Sequence, residues 1–201
     1  MIAMVDYDAG NIKSVEKALQ VLGEEPVVTN DRETLLLADK VIVPGVGAFG
    51  DAMEKLTQLG LVEVIRDVAS SGKPILGICL GLQLFFESSE EAEGVEGLSL
   101  LSGKIVRFPD AEGYKIPHMG WNSITVNPSS RLLAGIEDGS YVYFVHSYYL
   151  QAAHEEEVAA TTDYIVSVHA AAESGNVFAT QFHPEKSGET GLKILRNFVD
   201  L

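Results

Sequence analysis

The chain contains one cysteine, and its neighbours are suited to nucleophilic chemistry. Cys79 lies between Gly77 and Gly81 in PILGICLGLQLFFE, after an apolar run and before an amphipathic stretch. The spacing G-x-C-x-G is typical of a nucleophile elbow, where small neighbours permit a sharp strand-to-helix turn. The start of a helix favours the thiolate, and the N–H of Leu80 would supply one donor of an oxyanion hole. The alternative is a small, buried apolar cysteine.

A candidate base lies near the C-terminus, in NVFATQFHPEKSG. His183 and Glu185 are two residues apart, separated by Pro184. In extended backbone, residues i and i+2 project to the same side, so the carboxylate could orient one imidazole nitrogen while the other faces the thiol. The other four histidines lack a carboxylate at this spacing in a comparably rigid extended segment. No metal site is predicted, since no three ligands have a suitable spacing.

Two kinds of element must position these residues. Up to Cys79, short apolar runs alternate with amphipathic segments, which predicts βαβ units with strands buried in a parallel sheet. From about Lys104, segments rich in β-branched and aromatic residues predict hairpins or a mixed sheet added to the edge of that core. The final segment, GETGLKILRNFVDL, predicts a helix with Leu192, Leu195 and Val199 on one stripe. We expect one domain spanning 1–201.

Composition narrows the class of protein. The 46% hydrophobic content is sufficient for a core of ordinary size. A formal charge of −15 argues against binding to nucleic acid or to an anionic membrane surface. No run approaches the roughly 18 apolar residues of a membrane-spanning helix. A single cysteine and an N-terminus without signal-peptide features favour the cytoplasm.

The motifs also carry a family resemblance. GICLG together with QFHPEKS resembles the class I, or triad, glutamine amidotransferases. PGVGAFGDAM, KIPHMGWN and YFVHSYY are similar to the glutaminase subunits of imidazole glycerol phosphate synthases, and the similarity covers nearly the whole chain. The resemblance implies a flavodoxin-like α/β fold with a mostly parallel sheet flanked by helices and an added mixed or antiparallel sheet. It implies glutamine hydrolysis without a cofactor, and a heterodimer in which ammonia passes to a barrel-shaped cyclase subunit for histidine biosynthesis.

Roles follow from the resemblance, position by position. The triad would be Cys79, His183 and Glu185. The oxyanion hole would involve Val46 and Gly47 of the PGVG loop together with Leu80. Glutamine would be held by Gln83, Glu91, Ser147 and Tyr148. The docking face for the cyclase would include Asn11, Trp121 and Lys186.

Other functions stay open at this stage. A glutaminase serving anthranilate or aminodeoxychorismate synthesis shares the elbow and the H-P-E sequence, although PHMGWN, YFVHSYY and HPEKS argue against it. A non-catalytic binding module or redox sensor with one thiol is the alternative from another class, and it would not need the histidine–carboxylate pair.

Overall fold

A computed structural model describes residues 1–201, and its first half alternates strands and helices. These elements are β1 (Ile2–Val5), α1 (Ile12–Val21), β2 (Val27–Thr29), α2 (Arg32–Leu37), β3 (Lys40–Val43), α3 (Phe49–Gln58), α4 (Leu61–Ser70), β4 (Ile75–Ile78) and α5 (Leu80–Leu84). The predicted βαβ pattern is confirmed. The sequence patterns did not predict α2, a short helix that Asp31 caps by accepting a hydrogen bond from the Thr34 N–H at 2.8 Å.

The second half is mostly strand. Its elements are β5 (Ser88–Ser89), β6 (Gly103–Arg107), β7 (His118–Ser123), β8 (Thr125–Val126), β9 (Tyr141–His146), β10 (Tyr148–Ala152), β11 (Val158–Tyr164), β12 (Val166–Ser174), β13 (Val177–Thr180) and α6 (Gly188–Asp200). Two single-turn 3₁₀ helices lie at Glu155–Glu157 and Pro184–Lys186. None of the helices combines the length and apolar character needed to cross a membrane.

The main sheet has eleven strands, with the path β2-β1-β3-β4-β13-β12-β10-β6-β5 and the pair β11 and β8 branching from β12. The strands from β2 to β13 are parallel, and β13 to β12 begins the antiparallel part. The mixed α/β architecture is therefore confirmed. One detail of the prediction is wrong: β13 is not at the added edge but pairs in parallel with β4 inside the sheet.

Helices cover both faces of the parallel strands, which explains why those strands are continuous apolar runs in the sequence. In β1, Ala3 and Val5 face the core under α2 to α5, while Ile2 and Met4 face the core under α1 and α6. A separate two-stranded sheet, β7 with β9, packs on the second of these cores through Val142 and Phe144.

Helix α6 contacts the core along a stripe slightly different from the predicted one. Ile194, Leu195 and Phe198 are fully buried, whereas Leu192 and Val199 are only partly buried at the sides of the stripe. The helix was correctly predicted, but its centre of contact was not, because Leu192, Leu195 and Val199 alone do not define where the packing partner lies.

Candidate active site

The fold brings Cys79 and His183 together because each follows one of two adjacent parallel strands. Thr180 of β13 pairs with Ile78 of β4, so both chains leave the sheet at the same edge. Parallel strands present their carboxyl ends together, and ligands of open α/β sheets bind outside those ends. The placement of β13 inside the sheet is thus what assembles the site.

Cys79 lies in the sharp turn that its glycines predicted. Its φ of 56° and ψ of −104° are strained for a residue with a side chain. A Cβ on Gly77 would lie 2.6 Å from the Gly81 carbonyl oxygen, and one on Gly81 would lie 1.9 Å from that of Val43. Only glycine fits at either position. Helix α5, which follows, has five residues, so its dipole is a minor influence on the thiol.

His183 and Glu185 form the closest side-chain pair of the site. The imidazole Nδ1 lies 2.7 Å from Glu185 Oε1, and both side chains are fully buried. The Asn11 amide donates a second hydrogen bond to the same oxygen at 3.1 Å. The predicted extended geometry is wrong, because Pro184–Lys186 forms a 3₁₀ turn. The pair closes across that turn, whose last residues are held by a hydrogen bond from the Ser187 hydroxyl to the His183 carbonyl at 2.6 Å.

The charge of His183 is set by opposing effects. Burial lowers the pKa of the imidazole, but hydrogen bonding and charge interaction with Cys79 and Glu185 outweigh it and raise the pKa to about 9. Nδ1 contacts Glu185, and Nε2 faces the Cys79 thiol without meeting the geometry of a regular hydrogen bond. An imidazolium at neutral pH therefore has one nitrogen free to serve a substrate beside the thiol.

A cavity of about 360 Å³ opens above Cys79. It is lined by all of the residues predicted to hold glutamine and all of those predicted for the oxyanion hole. The first set is Gln83, Glu91, Ser147 and Tyr148, and the second is Val46, Gly47 and Leu80. Two of these polar side chains also form hydrogen bonds with backbone groups around the cavity. The Glu91 carboxylate accepts the Phe49 N–H at 2.8 Å, and the Gln83 amide donates to the Tyr148 carbonyl at 3.2 Å.

The predicted oxyanion donor of Leu80 is engaged elsewhere in this conformation. Its N–H donates to the carbonyl of Gly45, which belongs to the PGVG loop, at 3.2 Å. The Tyr7 hydroxyl donates to the Pro44 carbonyl at 2.6 Å, and a Cβ on Gly45 would lie 2.3 Å from that hydroxyl. In this conformation the Leu80 N–H is therefore not free to donate into the cavity.

The three predicted docking residues differ in exposure. Trp121 is 55% exposed on β7, and its ring meets Tyr143 edge-on at 6.2 Å between centroids. The Lys186 ammonium lies 5.9 Å from the centroid of the same Tyr143 ring. Asn11 is buried, and its side chain donates a hydrogen bond to Glu185 instead of pointing to solvent.

Several polar groups at the site were not singled out from the sequence. The Gln181 amide donates to the Cys79 sulfur at 3.8 Å. Burial lowers the pKa of His146 to about 3 and that of His118 to about 4, so both are neutral at physiological pH. Gln181 immediately follows an apolar strand two residues before the predicted base, and that position was the available signal.

The comparisons with known proteins identify the family. The family model for class I glutamine amidotransferases matches residues 3–201. The chain belongs to this family. Within it, the chain is 52% identical over 198 residues to the imidazole glycerol phosphate synthase subunit HisH of Bacillus cereus, covering 98% of this chain and 93% of that protein. It is 51% identical over 201 residues to the HisH subunit of Methanothermobacter thermautotrophicus, covering 100% and 98% respectively. The predicted family membership is confirmed.

Solved structures share the fold at lower sequence identity. A structure described as a glutamine amidotransferase aligns with a TM-score of 0.78 and 20% identity, covering 100% of this chain and 98% of that one. The structure of PurLQS from Thermotoga maritima aligns with a TM-score of 0.75 and 23% identity, covering 99% of this chain and 97% of that one. These structures support the fold assignment alone.

Proposed function

We propose that this amidotransferase is the glutaminase subunit of an imidazole glycerol phosphate synthase. It hydrolyses L-glutamine and passes the ammonia to a cyclase subunit, which forms imidazole glycerol phosphate and aminoimidazole carboxamide ribotide in the histidine pathway of the cytoplasm. The observation that carries the proposal is the cavity above Cys79, because one space joins a strained nucleophile to every residue expected to hold glutamine. The choice of synthase is supported by the HisH relatives, which are 52% and 51% identical to this chain.

In the first half of the reaction, the Cys79 thiolate attacks the side-chain amide carbon of glutamine. The carbonyl oxygen becomes an oxyanion, and the His183 imidazolium donates a proton from Nε2 to the departing nitrogen. Ammonia leaves and a γ-glutamyl thioester remains on Cys79. Glu185 keeps the imidazole oriented and stabilises its positive charge through the 2.7 Å contact at Nδ1.

In the second half, neutral His183 takes a proton from water, which attacks the thioester carbon. The C–S bond breaks, glutamate is released, and the proton on His183 restores the starting ion pair. Glutamine and one water are consumed for each glutamate and ammonia formed. No cofactor enters this balance.

The PGVG loop makes catalysis dependent on a conformational change. Turning the peptide between Gly45 and Val46 removes the Gly45 carbonyl from the Leu80 N–H and directs the Val46 N–H toward the cavity. The two N–H groups would then form the oxyanion hole, whose donors are each worth about 10²–10³ in kcat. Docking of the cyclase favours that turn, so the isolated chain has low activity.

Two measurements test this function. Glutamate formation is followed for the chain alone, with the barrel cyclase, and with the cyclase plus its ligand, together with formation of imidazole glycerol phosphate. We expect weak hydrolysis alone, strong stimulation in the complex, and a loss of at least about a thousandfold in Cys79→Ala. Leu37→Ala, on the exposed surface of α2, is the matched control. Full activity without the cyclase would contradict the coupling, and activity in Cys79→Ala would remove the assignment of the nucleophile.

A thiol sensor is the competing function from another class. It would react with electrophiles regardless of glutamine. An electrophilic glutamine analogue separates the two, because an enzyme is labelled at Cys79 and is protected by glutamine. Labelling that glutamine leaves unchanged would favour the sensor.

A further inference from the structure

A buried chain of hydrogen bonds connects strand β7 to the sulfur of Cys79. Its members are the side chains of Asn122, His118, His146, Gln83 and Gln181 and the backbone carbonyl of Tyr148. All of these side chains except Asn122 are buried, and β7 also carries the exposed Trp121. The chain therefore starts beside the expected docking face and ends on the nucleophile.

The hydrogen bonds that involve His118 and His146 can run in only one direction. A carbonyl can only accept, so His146 Nδ1, 2.8 Å from the Tyr148 oxygen, carries a hydrogen. Neutral His146 then accepts at Nε2 from His118 Nδ1 at 3.0 Å. His118 in turn accepts at its own Nε2 from the Asn122 amide at 3.3 Å. Both tautomers are fixed by the Tyr148 carbonyl.

The Tyr148 carbonyl also fixes the orientation of the Gln83 and Gln181 side-chain amides. The Gln83 amide nitrogen must donate to the Tyr148 oxygen, and its second hydrogen points to Gln181 Oε1 at 3.2 Å. With its oxygen accepting from Gln83, Gln181 presents its amide nitrogen to the Cys79 sulfur at 3.8 Å. The donor that faces the sulfur is thus determined by groups up to three links away.

We propose that Gln181 positions the Cys79 sulfur and stabilises its thiolate, and that the hydrogen-bond chain through His118 transmits docking at β7 to that thiolate. The inference rests on the proposed glutaminase function. A displacement of β7 moves His118, and each following donor must move with it or lose its partner, because an unpaired buried polar group is costly. The Gln83 amide, which both lines the cavity and holds Gln181, is where this path meets the glutamine site.

The sulfur end is tested by Gln181→Met in the full-length chain, which removes the donor while keeping a similar side-chain length. Alkylation of Cys79 by iodoacetamide at constant pH is expected to slow about tenfold, the effect of one hydrogen bond to a charged group. In the cyclase complex, kcat should fall more than KM rises, because Gln181 touches the nucleophile. Gln151→Met, an exposed glutamine in β10, is the control for the substitution itself.

The β7 end is tested by His118→Phe. A phenyl ring can retain the stacking with Phe144, now 4.7 Å between centroids, while removing both hydrogen bonds. We expect affinity for the cyclase to stay near that of the unmodified chain, while the stimulation, measured as the ratio of hydrolysis with and without the cyclase, falls at least about threefold. His118→Asn keeps an N–H near the position of Nδ1 and should restore most of the stimulation.

The outcomes separate this inference from the proposed function. If the unmodified chain hydrolyses glutamine and is stimulated, but Gln181→Met is alkylated at the normal rate or His118→Phe is stimulated normally, the hydrogen-bond relay is wrong and the glutaminase stands. If the unmodified chain with cyclase hydrolyses no glutamine, the proposed function fails instead. Loss of cyclase affinity in His118→Phe would also overturn the relay, since β7 would then act only through binding.

Discussion

At the scale of single residues, the charge of His183 depends on its two neighbours, Cys79 and Glu185. His183 is buried, and burial by itself disfavours the imidazolium. Glu185 on one side and Cys79 on the other reverse that preference and raise the pKa of His183 to about 9. Because this pKa lies above the ordinary value of 6.5, the charged pair stabilises the fold fully below about pH 6.5. That contribution is lost as the pH rises through about 9.

Replacing the nucleophile tests this balance. In Cys79→Ala, the pKa of His183 is expected to fall, because its interaction with Cys79 is lost while burial and the interaction with Glu185 remain. NMR titration of the His183 ring in the unmodified chain and in Cys79→Ala measures the change, with Leu37→Ala as the control. The same titration midpoint in both proteins would show that the thiol does not contribute to the charge of His183.

Among the elements, the sequence predicted those with a clear local hydrophobic pattern, but it missed α2 even though Asp31 caps that helix locally. The run PILGIC and the glycines around Cys79 specify the strand and its turn, and the same glycines are required by close backbone contacts. The partner of β13 was not predictable, since NVFATQF has the same texture whether it lies at an edge or beside β4. The pairing of His183 with Glu185 was predicted, but with the wrong backbone, because Pro184 favours both extended and 3₁₀ geometry.

Non-local contacts also explain what was missed within the site. Gln181 bonds to Cys79, which is far away along the chain, and the role of His118 depends on β7 pairing with β9. The engagement of the Leu80 N–H by Gly45 depends on how the PGVG loop returns to β4. The position of Gln181 just after an apolar strand was a local signal, but the contacts themselves depend on the strand pairing.

The two-stranded sheet formed by β7 and β9 supports a prediction about docking. Trp121 presents more than half of its surface to solvent there, and large exposed aromatic residues commonly dominate interfaces. Trp121→Ala should weaken binding to the cyclase by about 2 kcal/mol or more, roughly thirtyfold in Kd, without changing hydrolysis by the isolated chain. Titration calorimetry measures the affinity, and Leu37→Ala is the control at a different surface. Unchanged affinity in Trp121→Ala would exclude β7 as a central part of the interface.

At the scale of the whole molecule, the small sheet is joined to the larger one through a shared core. Phe144 of β9 meets Phe182 edge-on at 5.8 Å between centroids, and Phe182 lies two residues after the end of β13. Phe178 of β13 is fully buried and meets Phe198 of α6 at 6.1 Å. The aromatic residues on this face therefore connect the two-stranded β7–β9 sheet, strand β13 and helix α6.

This connection predicts that residues 1–201 unfold as one cooperative unit. Tryptophan fluorescence reports on β7 through Trp121, whereas far-ultraviolet circular dichroism reports on all helices and strands, and the two denaturation curves should coincide. Phe178→Ala should lower the free energy of unfolding by about 3–5 kcal/mol and shift both curves together. Val21→Ala, at an exposed position of α1, should shift neither. A fluorescence transition that precedes the dichroism transition would show instead that the β7–β9 sheet unfolds independently of the rest of the chain.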